Sequence, residues 1–360
     1  MHRKRILIVS IILLAVCISI LFYAAVCIPN MQYRTALSLM DAGNYSDAIE
    51  IFSSLQHYKD SAEKISQCNQ AILDDQYHSA IDLMKHKKYT EAIVIFESLS
   101  TYKDCEGKIR DCLAAITEEE YVAALSLMEE KHFEEAYLSL IKLDGYKDSI
   151  QMAEECKLRE PNLALPGDIV YWGTYEQDNI PDSSKEDIAW IVLERTNDRL
   201  LLISQYALDC KQYNHKRDNV AWDTCSLREW LNGDFFEEAF SPEQQERIPT
   251  VSITTAPNPV YDKSSPGNPT DDRVFCLDIW QVVQYFPTDE ARCCTPTPYA
   301  ISQGSNTDEN TGFCWWWTRT PGAYQHQAAI INLDGADNSH GPCVEVEFIS
   351  VRPAIWIDLS

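Results

Sequence analysis

Three consecutive tryptophans and a run of oxygen-bearing side chains are the residues of this chain whose types most directly suggest chemistry. Trp315-Trp316-Trp317 could stack on a sugar or a peptide, but alternation along a strand would turn at least one ring into the core. We therefore expect most of the triplet to be core. The nearby segment 305–310 offers side-chain oxygens of the kind that Ca²⁺ prefers, at Asn306, Asp308, Glu309 and Asn310. Such runs are more often solvated loops, so calcium is the weaker expectation.

Motifs for catalysis are missing from the sequence. It contains no G-x-S-x-G nucleophile elbow, no H-E-x-x-H zinc site and no glycine-rich phosphate loop. His326 and His340 with Cys314 or Cys343 could form a thiol–imidazole pair, although a Cys314–Cys343 disulfide is the simpler interpretation. No cofactor is expected apart from the weakly supported calcium, and the chain is more simply explained as a binding protein than as an enzyme.

The elements that would hold these residues predict an α+β domain after about residue 166. Predicted strands are Asp168–Tyr175, Ala189–Glu194, Arg199–Ser204, Ala328–Leu333, Val344–Ile349 and Ala354–Ile357. Predicted helices are Ser226–Asn232, Asp234–Ala239 and Leu277–Tyr285. The long polar loops Ala256–Asp272 and Gln303–Gly312 lie between these elements, and loops of this length inside a compact domain are usually functional.

A period of 44 residues organises the part of the chain before this domain. Aligned copies begin at Tyr33, Tyr77 and Tyr121, and each contains a Tyr-Lys-Asp signature, first at 58–60. Self-similarity at this period is typical of a helical solenoid. Residues 33–160 therefore predict three helical repeats, which resemble tetratricopeptide repeats in the spacing of their Tyr and Ala residues.

Each repeat is expected to contain one long and one short helix. The long helix should begin near Asp60, which forms a capping-box pattern with Glu63, and the short helix of the second copy should begin after an N-cap at Thr90. One cysteine recurs per copy and is interpreted as a small buried side chain beyond disulfide reach of its equivalents, at Cys68, Cys112 and Cys156. The stack is a spacer or a peptide-binding module.

An uninterrupted apolar segment opens the chain. Ile6–Ile28 contains 23 residues without a charge, preceded by the basic cluster 2–5. A helix of that length spans about 35 Å, enough for the hydrocarbon core of a bilayer, and it exceeds the apolar core of a cleavable signal peptide. We predict an uncleaved single-pass anchor in the cell membrane, with a cleaved signal peptide as the alternative. Residues 1–5 are then a cytoplasmic stub, and all later domains lie outside the cytoplasm.

Composition separates residues 161–360, the predicted head, from the repeats. All nine Trp and 15 of the 16 Pro lie after residue 160. Residues 33–160 carry 14 Lys+Arg against 25 Asp+Glu, a net charge of −11, and residues 161–360 carry 13 against 30, a net charge of −17. Such acidity excludes nucleic acid as a plausible partner and is interpreted as keeping an exported protein soluble.

Ordered blocks in residues 166–360 resemble an uncharacterised bacterial surface-protein family, a domain of unknown function. The most specific are the Trp-Trp-x-Arg-x-Pro block in Gly312–Pro321 and the Val-Arg-Pro-Ala block in Ser350–Ile357. Further blocks are Trp190–Leu193, Leu200–Asp209, Trp222–Asn232, Ala239–Ser241, Arg273–Phe275 and Pro296–Ala300. The domain is also similar to the C-type-lectin-like group, which includes formylglycine-generating-enzyme-like domains and the variable proteins of diversity-generating retroelements. This resemblance implies a compact mixed fold whose late loops contact ligand.

The resemblance to the retroelement proteins places the binding surface between the two blocks, in Thr318–Arg352. Polar and aromatic side chains in this stretch suit adaptable recognition. Arg319 and Arg352 are expected to pin loops through carboxylates rather than to bind ligand. Together with two rings of the triplet, the candidate ligand-binding residues are Trp315, Trp317, Tyr324, Gln325, His326, Gln327, Asn332, Asp337, Asn338 and His340.

The leading hypothesis is a membrane-anchored display protein: an anchor at 6–28, three helical repeats at 33–160, and a lectin-like head at 161–360 that binds an extracellular glycan or protein. One alternative is an enzyme of the formylglycine-generating type that acts on cell-envelope substrates. Another is a scaffold whose repeats bind peptides while the head is structural.

Overall fold

The structure is a computed structural model that describes residues 2–56, 58–181 and 184–359, with side chains described from residue 8 onward. An apolar helix comes first, a helical region follows, and a region of sheets and short helices ends the chain. This order confirms the expected succession of an all-α part and an α+β part. Two compact units result, one ending at Val122 and the other beginning at Ala123. The side chains of the predicted basic stub, residues 1–5, lie outside the described residues.

The first helical segment consists of α1 (His2–Phe22), a π-helical turn (Tyr23–Cys27) and α2 (Ile28–Asp41). In the described part of the chain, one helix, Ile8–Asp41, is long and apolar enough to cross a membrane. Its apolar side chains from Ile8 to Ile28 are exposed on every side. A helix that is apolar all round lacks the polar face of a surface helix in a soluble protein.

Helices of alternating length follow, as the repeats predict. They are α3 (Tyr45–Ser54), α4 (Ser61–Lys85), α5 (Tyr89–Leu99), α6 (Cys105–Glu129), α7 (Phe133–Lys142) and α8 (Ser149–Arg159). The boundary between the two compact units falls within α6. Both long helices contain 25 residues and run through the start of the next copy, which confirms the predicted long helix.

Buried residues recur at the 44-residue spacing. Side chains of Phe52, Phe96 and Leu140 occupy equivalent positions with no exposed surface. The recurring cysteines, Cys68, Cys112 and Cys156, are also fully buried and unpaired, which confirms their interpretation as small core side chains. The first two repeats each have a small core of their own, as expected of a repeat protein.

The Tyr-Lys-Asp signature contacts the tyrosine that begins its own copy. The hydroxyl of Tyr33 donates a hydrogen bond to Asp60, and that of Tyr77 donates to Asp104. These hydrogen bonds, with burial second, raise the pKa of Tyr33 and of Tyr77 to about 12. The amine of Lys103 lies 4.7 Å from the ring centroid of Tyr77. The signature is therefore a tertiary contact between aromatic, basic and acidic side chains.

Two predicted helix caps are wrong. No side chain caps α4, because the Asp60 carboxylate accepts its hydrogen bond from Tyr33 instead of from its own helix. In the second copy α5 begins at Tyr89, with Lys88 at the N-cap, so Thr90 is already helical. Local capping patterns do not reveal that a distant hydroxyl competes for the same carboxylate.

The α+β region contains two five-stranded sheets and one hairpin. Its strands are β1 (Ile169–Tyr175), β2 (Glu186–Arg195), β3 (Arg199–Ser204), β4 (Asp209–Cys210), β5 (Val251–Ile253), β6 (Thr270–Asp272), β7 (Val274–Phe275), β8 (Trp316–Pro321), β9 (Ala328–Ile331), β10 (Asp337–Asn338), β11 (Ser350–Val351) and β12 (Ala354–Asp358). One sheet has the order β1-β2-β3-β12-β7 and the other β10-β9-β8-β11-β4, while β5 and β6 form the hairpin. In the second sheet β8 and β11 are parallel.

Short helices connect these strands. They are α9 (Ser226–Trp230), α10 (Phe236–Ala239), α11 (Pro242–Glu246), α12 (Ile279–Tyr285), α13 (Asp289–Arg292) and α14 (Pro298–Ser302), and a π-helical turn (Leu231–Phe235) joins α9 to α10. The predicted strand Val344–Ile349 is wrong, because strand pairing there begins only at β11. In its place, the Val344 N–H donates to the His326 carbonyl and the Val344 carbonyl accepts from Asn214 N–H, both in loops.

Candidate ligand-binding surface

Three of the predicted ligand-binding residues line one cavity of about 390 Å³. Trp315 and Phe348 supply its aromatic wall, with ring centroids 5.7 Å apart. Asn332 and Asn338 supply amides, and Asn338 Nδ2 donates to Asn332 Oδ1 at 3.2 Å. We call these four residues the indole cleft. It combines an apolar ring with directional amides, which is the composition of many ligand sites.

Three other predicted residues, Tyr324, His326 and His340, gather on a separate exposed surface. The rings of Tyr324 and His326 are nearly parallel, with centroids 5.9 Å apart. His340 meets Tyr324 edge-on at 6.4 Å. The side chain of Tyr324 is 47% exposed, so this cluster can be reached from solvent.

The long loop 256–272 completes this surface. Tyr261 meets the His340 ring at 5.7 Å, and the Lys263 amine lies 5.7 Å from the Tyr324 centroid. We call Tyr261, Lys263, Tyr324, His326 and His340 the tyrosine surface. The length of this loop predicts a functional role. The sequence does not identify Tyr261 or Lys263, because their contacts join segments far apart in the chain.

Hydrogen bonds hold the loop against the later segments. Asn258 Nδ2 donates to the carbonyls of Pro321 and Ser339, both at 2.7 Å. Gln325 Nε2 donates to the carbonyls of Val220 and Ser265. Asn258 is buried and Gln325 is partly buried, and their amides fix the backbone that carries the exposed rings, so the surface is preformed.

The remaining candidates have other positions. The Gln325 side chain binds backbone carbonyls. Gln327 is 9% exposed, and its side-chain Oε1 accepts the Tyr324 N–H. Trp317 is fully buried and its indole N–H donates to the Lys211 carbonyl at 2.8 Å, so it is unable to touch a ligand here. Asp337 is exposed on β10, where alternation turns it away from Asn338 and hence from the indole cleft.

The expectation that most of the tryptophan triplet is core is confirmed, because Trp316 and Trp317 have no exposed surface. Arg319 pins a loop as expected, with Nη2 2.9 Å from the Asp278 carboxylate at the start of α12. The same expectation for Arg352 is wrong. Its Nε donates to the Ser204 carbonyl, and its guanidinium lies over the rings of Trp316 and Phe286.

The suggested Cys314–Cys343 disulfide is also wrong, since all cysteines in the described residues are free. Cys314 lies instead against Cys294, whose carbonyl accepts its N–H at 2.9 Å. Burial alone would raise the pKa of the Cys294 thiol, but the hydrogen bond from Cys314 and the charge of Arg352 outweigh it and lower that pKa to about 7. The same hydrogen bond, with burial, raises the pKa of Cys314.

The proposed calcium ligands form a self-contained turn. Asp308 Oδ1 accepts the N–H groups of Asn310 and Thr311, at 3.0 and 2.8 Å, and these bonds, Thr311 first, lower the pKa of Asp308. Among the described residues, three acidic side chains with oxygens within 4.8 Å of one another occur elsewhere, at Glu176, Asp178 and Glu186. Calcium at 306–310 remains a prediction.

A further cavity, of about 630 Å³, was not predicted from the sequence. It is lined by Trp230 and by Lys211, whose amine lies 3.4 Å from the Asp209 carboxylate. Burial raises the pKa of Asp209, although the charge of Lys211 and a hydrogen bond from the Tyr175 hydroxyl oppose it. The sequence offered no signal for this cavity, because its lining residues show no motif.

Comparison with known proteins gives a domain family for part of the chain and no function. Residues 197–359, somewhat less than half of the chain, match the profile of a family described as a domain of unknown function (DUF6273). This match confirms the expected resemblance to an uncharacterised domain family for that stretch. No curated protein and no solved structure matches the chain significantly.

Proposed function

We propose that this protein is a membrane-anchored display protein whose head binds an extracytoplasmic glycan or protein through the tyrosine surface and the indole cleft. One observation carries the proposal: exposed rings and hydrogen-bonding groups from separate loops meet on a backbone that the side-chain amides of Asn258 and Gln325 hold in place. The segment 338–342 serves both areas, since His340 belongs to the tyrosine surface while Asn338, Gly341 and Pro342 line the indole cleft.

Preorganisation supports binding as the task of these loops. Ordering a flexible loop on association costs free energy, and loops already fixed by hydrogen bonds avoid that cost. The Asn258 and Gln325 bonds hold the loops without using the exposed side chains of Tyr324 or Tyr261. Aromatic rings then supply contact area at small entropy cost, and amides supply directional hydrogen bonds.

We also infer a C-type-lectin-like fold for the head. The two sequence blocks that carry this resemblance lie in neighbouring strands: the Trp-Trp-x-Arg-x-Pro block forms β8, and the Val-Arg-Pro-Ala block spans β11 and β12. Ser350 of β11 pairs with Trp316 of β8. The loops between β8 and β11 therefore begin and end at strands that contain the two most specific sequence blocks of the resemblance.

Topology provides the first test. With the basic residues 2–5 on the cytoplasmic side of the apolar helix, the head should lie outside the cytoplasm. Protease added to intact spheroplasts should digest the head, as detected with a C-terminal epitope tag, while a cytoplasmic marker stays intact. Full protection of the head under those conditions would overturn the display proposal.

Loss of binding provides the second test. Changing Tyr324, His326, Asn338 and His340 together to alanine should abolish binding to any ligand found for the parent on a glycan and protein array. A few aromatic and hydrogen-bonding anchors dominate an interface. Exposed side chains such as those of Tyr324 and His340 contribute within about 0.5 kcal/mol each to stability, and the partly buried Asn338 makes, among the described residues, only short-range hydrogen bonds, to Asn332 and Gly341. The melting temperature should therefore change little.

A matched control separates a local from a general effect. Ile301→Ala with Gln303→Ala alters exposed residues on α14 and just after it, outside both areas. This variant should bind like the parent. Unchanged binding by the fourfold variant, with the parent clearly positive, would move the site to the repeats or to another face of the head.

A further inference from the structure

The cavity beside Trp230 has the size of a small-molecule site. Its volume of about 630 Å³ lies between the π-helical turn 231–235 and the segment 211–215 that follows β4. Small-ligand pockets commonly measure roughly 300–1,000 Å³. Its walls include an aromatic ring, an imidazole, two carboxylates, an amide and a hydroxyl, from Trp230, His215, Glu229, Asp234, Gln212 and Ser226.

The one lysine in the lining is already neutralised. Lys211 Nζ lies 3.4 Å from the carboxylate of Asp209, which is 1% exposed. The same amine lies 5.1 Å from the centroid of Trp230. A cation over an indole face is favourable. The Lys211 side chain is therefore held next to the Trp230 ring, and the Asp209 carboxylate compensates its charge.

The acidic groups of the lining are unpaired. The side chains of Glu229 and Asp234 are exposed and make no hydrogen bond or ion pair with the described residues. Glu347 adds a further carboxylate next to the lining, 3.5 Å from Gln212 Nε2. After Lys211 and Asp209 cancel, the lining keeps the two negative charges of Glu229 and Asp234, with that of Glu347 beside it, so a cationic ligand is electrostatically favoured.

Neutral donors and open space complete the cavity. The indole N–H of Trp230 makes no hydrogen bond with the described residues and is not enclosed, so it can donate to a ligand oxygen. A Cβ placed on Gly233 would meet no atom within 4 Å, which shows that the cavity is open over the π-helical turn. Single π-helical turns inside α-helices occur frequently at functional sites.

We infer that this cavity is a second binding site, which takes a small polar ligand carrying a primary ammonium group, as an amino sugar or a lysine side chain does. The ammonium lies between Glu229 and Asp234, and the polar remainder meets the Trp230 indole N–H and His215. The inference is independent of the proposed display function, because the cavity shares no residue with the tyrosine surface or the indole cleft.

Calorimetric titration of the purified full-length chain in detergent tests the charge requirement with matched probes. Glucosamine and N-acetylglucosamine differ in the ammonium group, and Nα-acetyl-lysine amide supplies the same group from an amino acid. We expect at least one of the two amines to bind, and N-acetylglucosamine to bind roughly tenfold or more weakly than glucosamine if the sugar is the source.

Variants then locate the site. Glu229→Gln with Asp234→Asn should weaken amine binding roughly tenfold, and Gly233→Leu should abolish it by filling the open space. Glu237→Gln, an exposed change on α10 outside the lining, should leave it unchanged. The melting temperatures of all three variants should match the parent.

Each possible result supports or overturns the inferred amine-binding site. Amine binding that falls in the Glu229/Asp234 and Gly233 variants but persists in the fourfold late-loop variant supports the inference, whatever happens to the display function. No binding of either amine at millimolar concentration would overturn it. Equal binding of glucosamine and N-acetylglucosamine, or binding indifferent to the carboxylates, would overturn it as well.

Discussion

Replacing Trp316 by alanine is expected to lower the free energy of unfolding of the head by about 3–5 kcal/mol. The side chain has no exposed surface, and its indole N–H donates to the Arg292 carbonyl at 3.1 Å. Removing the ring leaves a cavity and also uncovers the guanidinium of Arg352, whose carbon lies 5.1 Å from the ring centroid. Denaturant unfolding followed by tryptophan fluorescence measures the loss, because all nine tryptophans lie after residue 160.

Trp280 provides the control for this prediction. It is 55% exposed on α12, and its alanine variant should lose about 1 kcal/mol or less. Equal destabilisation by the two changes would mean that the Trp316 ring does not pack in the core of the head.

Replacing Phe96 by aspartate is expected to unfold the second repeat. The Phe96 side chain on α5 is fully buried in a small core with Ala80, Ala92 and Cys112. A charge at this site has no partner and replaces a large apolar group, so we expect a loss of more than about 4 kcal/mol. Hydrogen–deuterium exchange of the full-length chain should show α4 and α5 losing protection.

Val94 on the same helix gives the matched control, since its side chain is 62% exposed. Val94→Asp introduces the same charge in the same helix and should change protection little. Similar exchange in the two variants would show that the assigned buried face of α5 is incorrect.

The repeats could be predicted from sequence because their contacts are periodic and local. Apolar residues at a helical period, Ala92, Ile93, Ile95, Phe96 and Leu99, predict one buried face for the short helix of the second copy, and Ala92, Phe96 and Leu99 are buried on α5. Ile93 and Ile95 are only half buried, because the apolar face of α5 is wider than the core that it contacts. The wrong cap at Asp60 has a different origin, the hydroxyl of Tyr33 at the start of the same copy, 27 residues earlier, which the local capping pattern does not reveal.

The head was less predictable because its decisive contacts are distant in sequence. Val344, Val346 and Phe348 alternate as a half-buried strand would, yet their backbone bonds loops instead of a neighbouring strand. The resemblance supplied Tyr324 and His340, but their neighbours Lys263 and Tyr261 come from a loop about 60 and about 80 residues earlier, respectively. Only a folded chain shows that these segments meet.

The 44-residue register has a genetic consequence. The bonds Tyr33–Asp60 and Tyr77–Asp104 join positions 27 apart, and the buried positions of the copies are equally spaced. An unequal crossover between equivalent codons of two copies would therefore delete or duplicate one whole period, and each new junction would meet the same partners as before. A single recombination event of this kind can thus add or remove one repeat while keeping these pairings in register.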